Sequence, residues 1–149
     1  MIGHGMSSMI VAVRNTIRTA LMRLRILYLR FFWGHELHPT SHISFSAYLD
    51  RVNPKGIVVG PHTIITRGVV MLSHDYTRSI SSQTKVGGKC LIGVNAIICP
   101  GVTIGDEVVV GAGAVVTRDV PSNCLVVGNP AKVVGHIRTD VYGRIIHRA

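Results

Sequence analysis

The side chain best suited to chemistry in this 149-residue sequence is a histidine, His74, which is followed directly by Asp75. His74 is the third residue after Met71, which belongs to a regular series of inward aliphatic positions described below, so the sequence places His74 on an outward turn. An imidazole there can act as a general base that takes a proton from a hydroxyl group. Asp75 would orient that imidazole or bind a substrate. A role in shaping the turn stays equally open, because the side chains of adjacent residues often point apart.

A second group of reactive residues lies near the N-terminus and is spaced like a set of metal ligands: His35, Glu36, His38 and His42. Pro39 lies among them and breaks the helix that would align their side chains. We therefore expect no metal site there.

The three cysteines form no CxxC pair, which disfavours a disulfide framework and structural zinc and fits a reducing cytosol. Cys90 occupies an inward position and is expected in the core. Cys99 points outward, but no histidine is placed to activate it, so we do not expect a cysteine nucleophile. Cys124 suggests no chemistry.

The composition narrows the class of partner. Sixteen Lys and Arg residues oppose seven Asp and Glu residues, which gives a formal net charge of +9. This balance predicts an anionic partner such as nucleic acid, a membrane surface or a phosphorylated ligand. Hydrophobic residues make up 47%, which excludes a disordered acidic or basic tail as the main body of the chain. Aromatic residues make up only 5%, too few for stacking on bases, so nucleic acid is the least favoured partner.

An internal repeat of six residues predicts the architecture. Aliphatic residues recur at every sixth position without a break: Val86, Ile92, Ile98, Ile104, Val110 and Val116. Small or branched residues recur four positions after each of them: Cys90, Ala96, Val102, Val108, Ala114 and Val120. A period of six fits neither an α-helix nor a simple strand. It fits a short strand and a sharp turn, repeated three times to close a triangular coil of about 18 residues.

The repeat continues upstream with two interruptions. Further inward positions are Ile43, Leu49, Val59, Ile65 and Met71. The first interruption adds four residues before Val59, in a stretch that includes Asn53. The second lies between Met71 and Val86, where three residues exceed two repeat units. We expect residues 75–85 to project from the prism as a loop that carries function.

Residues 6–33 lack the repeat and predict a helix. Arginines interrupt its apolar residues: Arg14, Arg18, Arg23, Arg25 and Arg30. The segment is therefore neither a secretory signal nor a membrane-spanning helix. It would cap the first coil of the prism, or lie on anionic lipid with Phe31, Phe32 and Trp33 near the interface, and the two roles are compatible.

Three stretches of the repeat resemble the hexapeptide-repeat acyltransferases. The first is IGVNAIICPGVTIG at 92–105, the second is VGAGAVVTRDVP at 110–121, and the third is GNPAKVV at 128–134. The resemblance covers residues 86–134 almost without gaps and extends more loosely back to about Ile43. Bacterial sugar O-acetyltransferases of the exopolysaccharide, maltose and galactoside types are the most similar members.

The resemblance implies an all-β fold, a left-handed parallel β-helix of hexapeptide repeats with an N-terminal helical cap. Residues 1–42 would form the cap, 43–134 the acyltransferase domain and 135–149 a basic C-terminal tail. It also implies a homotrimer whose active sites lie between neighbouring subunits. Acetyl-CoA would be the acyl donor and would lie in a groove along an edge of the prism, without a metal.

The resemblance further assigns roles to individual residues. His74 matches the catalytic histidine of the family, and these positions match its cofactor groove: Val94, Ala112, Thr117, Arg118 and Lys132. Backbone groups at Val94 and Ala112 would face the pantetheine arm. Arg118 and Lys132 would meet the phosphates of CoA, where charge-assisted contacts are strong.

The resemblance implies acetyl transfer to a sugar hydroxyl in polysaccharide or glycoconjugate synthesis. The protein would be cytoplasmic, or peripheral at the inner face of the plasma membrane if its acceptor is lipid-linked. In galactoside-type enzymes an asparagine upstream of the histidine holds the acceptor, so Asn53 is a candidate, although its spacing differs and a turn role is the alternative. Two other functions stay open: an amino-sugar N-acetyltransferase and a non-catalytic trimeric β-helix scaffold.

Overall fold

The hexapeptide repeat folds into the stacked coils of a parallel β-helix, in a computed structural model that describes residues 3–141 and 143–148. An α-helix, α1 (Gly3–Tyr28), precedes the coils and continues into a π-helical turn, Leu29–Trp33. A short 3-10 turn, Pro54–Gly56, occupies the first interruption of the repeat.

Three parallel sheets form the faces of the prism. The first face contains β1 (Glu36–Leu37), β4 (Ile57–Val59), β9 (Thr84–Val86) and β12 (Thr103–Ile104). The second contains β2 (His42–Ile43), β5 (Ile64–Ile65), β10 (Leu91–Ile92), β13 (Val109–Val110) and β15 (Cys124–Val127). The third contains β3 (Tyr48–Leu49), β6 (Val70–Met71), β11 (Ile97–Ile98) and β14 (Val115–Val116).

Two antiparallel pairs are attached to this prism. The strands β7 (His74–Asp75) and β8 (Ile80–Ser81) form a hairpin that leaves the prism after β6. The strands β16 (Lys132–Thr139) and β17 (Ile145–Arg148) extend the second face beyond β15. The chain after residue 134 thus continues as sheet, and β1 and the first residue of β2 lie within the stretch 1–42 that the sequence assigned to the cap.

The interior of the prism confirms the predicted repeat. Every inward aliphatic position is at most 3% exposed: Ile43, Leu49, Val59, Ile65, Met71, Val86, Ile92, Ile98, Ile104, Val110 and Val116. The small or branched residues four positions later are buried as well. Burial of aliphatic side chains stabilises the fold by about 1.5–3 kcal/mol each, so the core of the prism carries most of the stability.

The second interruption is larger than the sequence count allowed. Val59 pairs with Val86, 27 residues further along the chain, whereas Val86 pairs with Ile104 after 18 residues. One coil therefore holds nine extra residues, which include the hairpin. The prediction that the stretch from Met71 to Val86 contains two repeat units and three extra residues was wrong. Met71 ends a strand of the third face and Val86 a strand of the adjacent first face, so only one repeat unit separates them.

The glycines that follow the inward positions allow stacked backbones to approach closely. A Cβ atom at Gly93 would lie 2.6 Å from the backbone N of Ala112, and one at Gly87 would lie 2.6 Å from the carbonyl oxygen of Gly105. Neither glycine has a positive φ. These glycines are thus required by the spacing between coils rather than by sharp bending of the chain.

Among the side chains of α1 whose burial is described, residues 9–28, those buried against the prism lie at the C-terminal end. Ile26 and Leu29 are buried in the core, and Arg25 donates a hydrogen bond to the carbonyl oxygen of Ala47 at 3.0 Å. Residues 9–21 are exposed throughout. Among the described residues, no helix is long and apolar enough to cross a membrane.

Candidate active site

A buried carboxylate, Asp50, lies beside the imidazole of His74. Oδ2 of Asp50 is hydrogen-bonded to Nδ1 of His74 and also accepts the backbone N–H groups of Ser73 at 2.8 Å and His74 at 3.0 Å. Its other oxygen accepts the N–H of Val52 at 2.8 Å. The side chain of Asp50 is 0% exposed, while that of His74 is 13% exposed. The pair thus combines a buried, fully bonded carboxylate with an imidazole that reaches the surface.

These hydrogen bonds determine the ionisation of Asp50. Burial alone would raise the pKa of Asp50, because it disfavours the charged form. Hydrogen bonds from the Ser73 N–H, from His74 and from the Val52 N–H outweigh burial and lower the pKa from 3.8 to about 2. Asp50 is therefore ionised at neutral pH and can only accept hydrogen bonds.

The ionised carboxylate fixes the tautomer of His74. Because Asp50 cannot donate, Nδ1 of His74 must carry the proton of their hydrogen bond, which leaves Nε2 as the basic nitrogen. The ring of Tyr76 stands edge-on to the imidazole, with ring centroids 4.6 Å apart. An oriented imidazole with a free Nε2 is the arrangement that general-base catalysis requires.

A second buried histidine, His35, holds the backbone of Asp50. Its Nε2 lies 2.9 Å from the carbonyl oxygen of Asp50, and its Nδ1 lies 3.1 Å from the carbonyl oxygen of Leu29. His35 is 3% exposed. It therefore ties the end of the N-terminal helical segment to the turn that positions the carboxylate.

The side chain of Asp75 shapes the hairpin turn. Its Oδ1 accepts the hydroxyl and the N–H of Thr77, the latter at 2.9 Å, and the N–H of Arg78 at 3.3 Å. The hydrogen bond from the Thr77 hydroxyl is the main reason that the pKa of Asp75 lies below its ordinary value. Of the roles expected for Asp75, orienting His74 belongs instead to Asp50, because the Asp75 carboxylate is bonded within its own turn.

Replacing Asp75 with Asn therefore provides a test of this assignment. We expect Asp75→Asn to change kcat by less than about threefold, because an amide oxygen can still cap the turn through the Thr77 and Arg78 N–H groups. Initial rates of the acetyl transfer expected from the sequence measure the effect. A hundredfold loss would instead place the Asp75 carboxylate among the reacting groups.

Asn53 lies close to the site but is hydrogen-bonded to backbone groups. Its Nδ2 donates to the carbonyl oxygens of Ser73 at 3.1 Å and Ser82 at 3.4 Å. The hydroxyl of Ser73 donates back to the carbonyl oxygen of Asn53 at 2.6 Å. Asn53 thus joins the two ends of the hairpin insertion, which is the turn role named as the alternative to acceptor binding.

The hairpin encloses a shallow cavity of about 190 Å³ beside the imidazole. Residues of the hairpin and of the Asp50 turn line it: Val52, His74, Asp75, Tyr76, Ser79, Ile80 and Ser81. Its size and its mixed polar and apolar lining suit part of a small hydroxylated molecule.

The expected cofactor residues lie at two edges of the prism. Met71, Ile98 and Val116 are in register at the ends of third-face strands. His74 and the pair Thr117 and Arg118 therefore share one edge, which we call the hairpin edge. With about 4.8 Å between coils, the hairpin and Arg118 are separated by roughly 10 Å along it.

The other edge carries the backbone groups expected to meet the pantetheine arm. Val94 and Ala112 follow the paired residues Ile92 and Val110 at the junction of the second and third faces, which we call the Val94 edge. The carbonyl oxygen of Val94 accepts the N–H of Gly113 at 2.8 Å. A single chain therefore places His74, Thr117 and Arg118 along one edge, and Val94 and Ala112 across the third face from them.

Two cations near the end of the prism are available to an anion. Arg118 and Lys132 are exposed, and neither forms an ion pair within the described part of the chain. Lys132 follows Ala131, whose N–H donates to the carbonyl oxygen of Val115 at 2.8 Å. This bond holds the start of β16 against the third face.

The cysteines, and the N-terminal histidines other than His35, show no contact with His74 or Asp50 in the described part of the chain. Cys90 is fully buried, and burial raises the pKa of its thiol to about 11. Burial also raises the pKa of Cys99. Among the described residues, no three His, Cys, Asp or Glu side chains are grouped to hold a metal ion.

Asp50 and His35 are the members of the site that the sequence did not indicate. A signal for Asp50 was present, because Leu49 pairs with Met71 and Asp50 therefore lies one coil below Leu72, two residues before His74. Finding it requires placing the four extra residues after Asp50. His35 has no comparable signal, since it precedes the first strand.

The chain is similar to known acetyltransferases. The profile described as "Hexapeptide repeat of succinyl-transferase" matches residues 83–118. A hexapeptide-repeat containing acetyltransferase of Vibrio cholerae, solved in complex with acetyl coenzyme A, is 30% identical with a TM-score of 0.56, over 75% of each chain. A maltose O-acetyltransferase structure from Clostridium difficile is 28% identical with a TM-score of 0.55, over 77% of this chain and 74% of that one.

Two curated proteins extend the comparison. Galactoside O-acetyltransferase of Escherichia coli is 29% identical over 72% of this chain, and YvoF of Bacillus subtilis is 39% identical over 57% of it. The chain spans about half the length of these curated relatives, 57% and 51%. The stacked coils, the buried positions of the repeat and these similarities agree with one another. The chain belongs to the hexapeptide-repeat acyltransferases and has their left-handed parallel β-helix.

Proposed function

We propose that this protein transfers an acetyl group from acetyl-CoA to a hydroxyl group of a sugar, with His74 as the general base. The observation that carries the proposal is the buried, ionised Asp50 bonded to Nδ1 of His74, which leaves Nε2 free beside the hairpin cavity. Sugar O-acetyltransferases among the similar proteins support the class of acceptor.

The proposed reaction needs one proton carrier. Nε2 of His74 takes the proton of the acceptor hydroxyl while the hydroxyl oxygen forms a bond to the thioester carbonyl carbon. The negatively charged Asp50 stabilises the imidazolium formed at this step. The carbon–sulfur bond then breaks, and His74 returns the proton to the departing thiolate. The products are an acetyl ester of the sugar and CoA with a free thiol.

The residues at the two edges fit acetyl-CoA. Backbone groups of the exposed residues Val94 and Ala112 would face the amides of the pantetheine arm, and the exposed side chains of Arg118 and Lys132 would contact phosphate groups. The bound acetyl-CoA of the Vibrio cholerae structure supports the choice of donor.

We further propose that the working assembly is a homotrimer. The hairpin edge holds His74 and the Val94 edge holds the expected pantetheine contacts, and one chain separates them by the width of its third face. A neighbouring subunit that brings its Val94 edge to the hairpin edge would complete a groove between the two chains. Asn53 and Asp75 would then act by holding the hairpin that borders the acceptor.

Calorimetric titration with acetyl-CoA tests the donor site without knowledge of the acceptor. We expect saturable binding of one molecule per chain, and Arg118→Gln with Lys132→Gln should weaken it at least tenfold, because each removes a charge-assisted contact. Arg138→Gln is the matched control, since Arg138 is an exposed cation on β16 paired with β17. Absence of binding at millimolar acetyl-CoA would contradict the proposal and favour the non-catalytic scaffold.

A further inference from the structure

Helix α1 carries an apolar stripe on the side that faces away from the β-helix. At about 100° per residue, seven exposed apolar residues fall within an arc of about 120°: Met9, Ile10, Val13, Ile17, Leu21, Leu24 and Leu27. Each of these side chains is 45–62% exposed. Ile26, which packs into the core, lies on the opposite side of the helix. The apolar stripe is therefore turned towards the surroundings of the protein.

Arginines border the apolar stripe on both sides. Arg14 and Arg18 follow one border at helical spacing, and Arg23 follows the other. The sequence contains no Asp or Glu before Glu36. Long arginine side chains beside an apolar face can place their guanidinium groups among anionic headgroups while the apolar residues enter the acyl boundary.

The end of the helical segment adds exposed aromatic rings. Phe31 is 81% exposed and Phe32 is 70% exposed. Nε1 of Trp33 donates a hydrogen bond to the hydroxyl of Tyr28 at 3.1 Å. Tyrosine and tryptophan rings of this kind prefer the interface between membrane and water. The aromatic rings and the apolar stripe are therefore suited to the same environment.

A second copy of the helix would cover the apolar stripe less well than an anionic lipid surface would. Packing two stripes together would bring arginine borders close to one another, and neither helix has a carboxylate with which to pair them. A negatively charged lipid surface satisfies both the apolar stripe and its borders. No described helix is apolar enough to span the bilayer, so the fitting arrangement is parallel to its surface.

We propose that α1 lies flat in the headgroup region of an anionic lipid bilayer and attaches the β-helix to it. The inference does not depend on the proposed acetyl transfer. It does place the candidate active site near the bilayer, because the guanidinium of Arg51 lies 5.0 Å from the ring of Trp33, and Arg51 follows Asp50 directly. Acceptors carried by lipids would then reach the hairpin without leaving the membrane surface.

Flotation of the full chain with lipid vesicles tests this inference. We expect the protein to float with vesicles of equal parts phosphatidylglycerol and phosphatidylcholine at low salt and to stay at the bottom with pure phosphatidylcholine. Flotation should fall sharply at about 1 M salt, where the Debye length is about 3 Å. Arg14→Gln with Arg18→Gln should lower the partition coefficient about 25-fold, or about fivefold for each arginine.

Substitutions on the helix separate the apolar stripe from other effects. Ile17→Gln with Leu24→Gln should abolish flotation, whereas Asn15→Gln with Thr19→Gln, also exposed but outside the apolar stripe, should leave it intact. All variants should melt like the wild type, because none of these residues is buried. No flotation of the wild type, unchanged flotation of the Ile17 and Leu24 variant, or a loss of oligomer mass in that variant without lipid would each overturn the proposal.

Discussion

His74→Ala should lower kcat for acetyl transfer by about 10²–10⁴-fold, because it removes the proposed proton acceptor. Nothing else in the described site replaces it, since Asp50 is buried and the ring of Tyr76 meets the imidazole only with its edge. The release of CoA thiol at saturating acceptor measures this effect.

The same variant should keep its affinity for acetyl-CoA, because the proposed phosphate contacts lie at Arg118 and Lys132. His74→Gln is the matched control, as it keeps a polar side chain of similar size without a basic nitrogen, and it should be as slow as His74→Ala. If either variant turns over within threefold of the wild type, His74 is not the base.

Asp50→Asn should be the second most damaging substitution, with a loss of about 10²–10⁴-fold in kcat. An amide cannot supply the charge that stabilises the imidazolium of His74. Both carboxylate oxygens of Asp50 accept a backbone N–H group, one from Val52 and one from Ser73. The NH₂ group of an asparagine would therefore face one of these N–H groups in either orientation of its amide. An unsatisfied buried group of this kind costs about 1–3 kcal/mol, and the variant should unfold more easily.

The pH dependence of unfolding separates the contribution that the charge of Asp50 makes to stability from the contribution of its packing. Because the pKa of Asp50 is lowered to about 2 in the folded protein, its contribution to stability is present above pH 3.8 and is lost as the pH falls through about 2. The difference in melting temperature between wild type and Asp50→Asn should therefore shrink from pH 4 to pH 2. A constant difference down to pH 2 would contradict an ionised Asp50.

The fold was largely predictable because the repeat imposes its own register. Each inward aliphatic residue must fill the same narrow prism. Six consecutive repeats of six residues therefore leave few folds other than stacked triangular coils. The reason for the glycines was not predictable in the same way. Gly87 and Gly93 are needed because stacked backbones leave no room for a Cβ atom, a property of coil spacing that no single turn reveals.

The site was predictable only in part, because its partners come from different coils. His74 was found from its place beside an interruption, but the only carboxylate considered as its partner was Asp75, next in sequence, for which binding a substrate or shaping the turn stayed open. In the structure the partner is Asp50, 24 residues away, which the stacking of β3 below β6 brings into contact with it. Contacts between coils depend on the length of each insertion, and the contact of Asp50 with His74 depends on where the four extra residues after Asp50 are placed.

Transfer of an isotopically labelled acetyl group from acetyl-CoA to a panel of sugars tests the central claim most directly. We expect a base-labile acetyl ester on a sugar hydroxyl, identified by mass spectrometry, that forms with wild type and Asp75→Asn and at least a hundredfold more slowly with His74→Gln. Label found only as an amide on an amino sugar would contradict the hydroxyl acceptor. Equal ester formation by wild type and His74→Gln would contradict the role of His74.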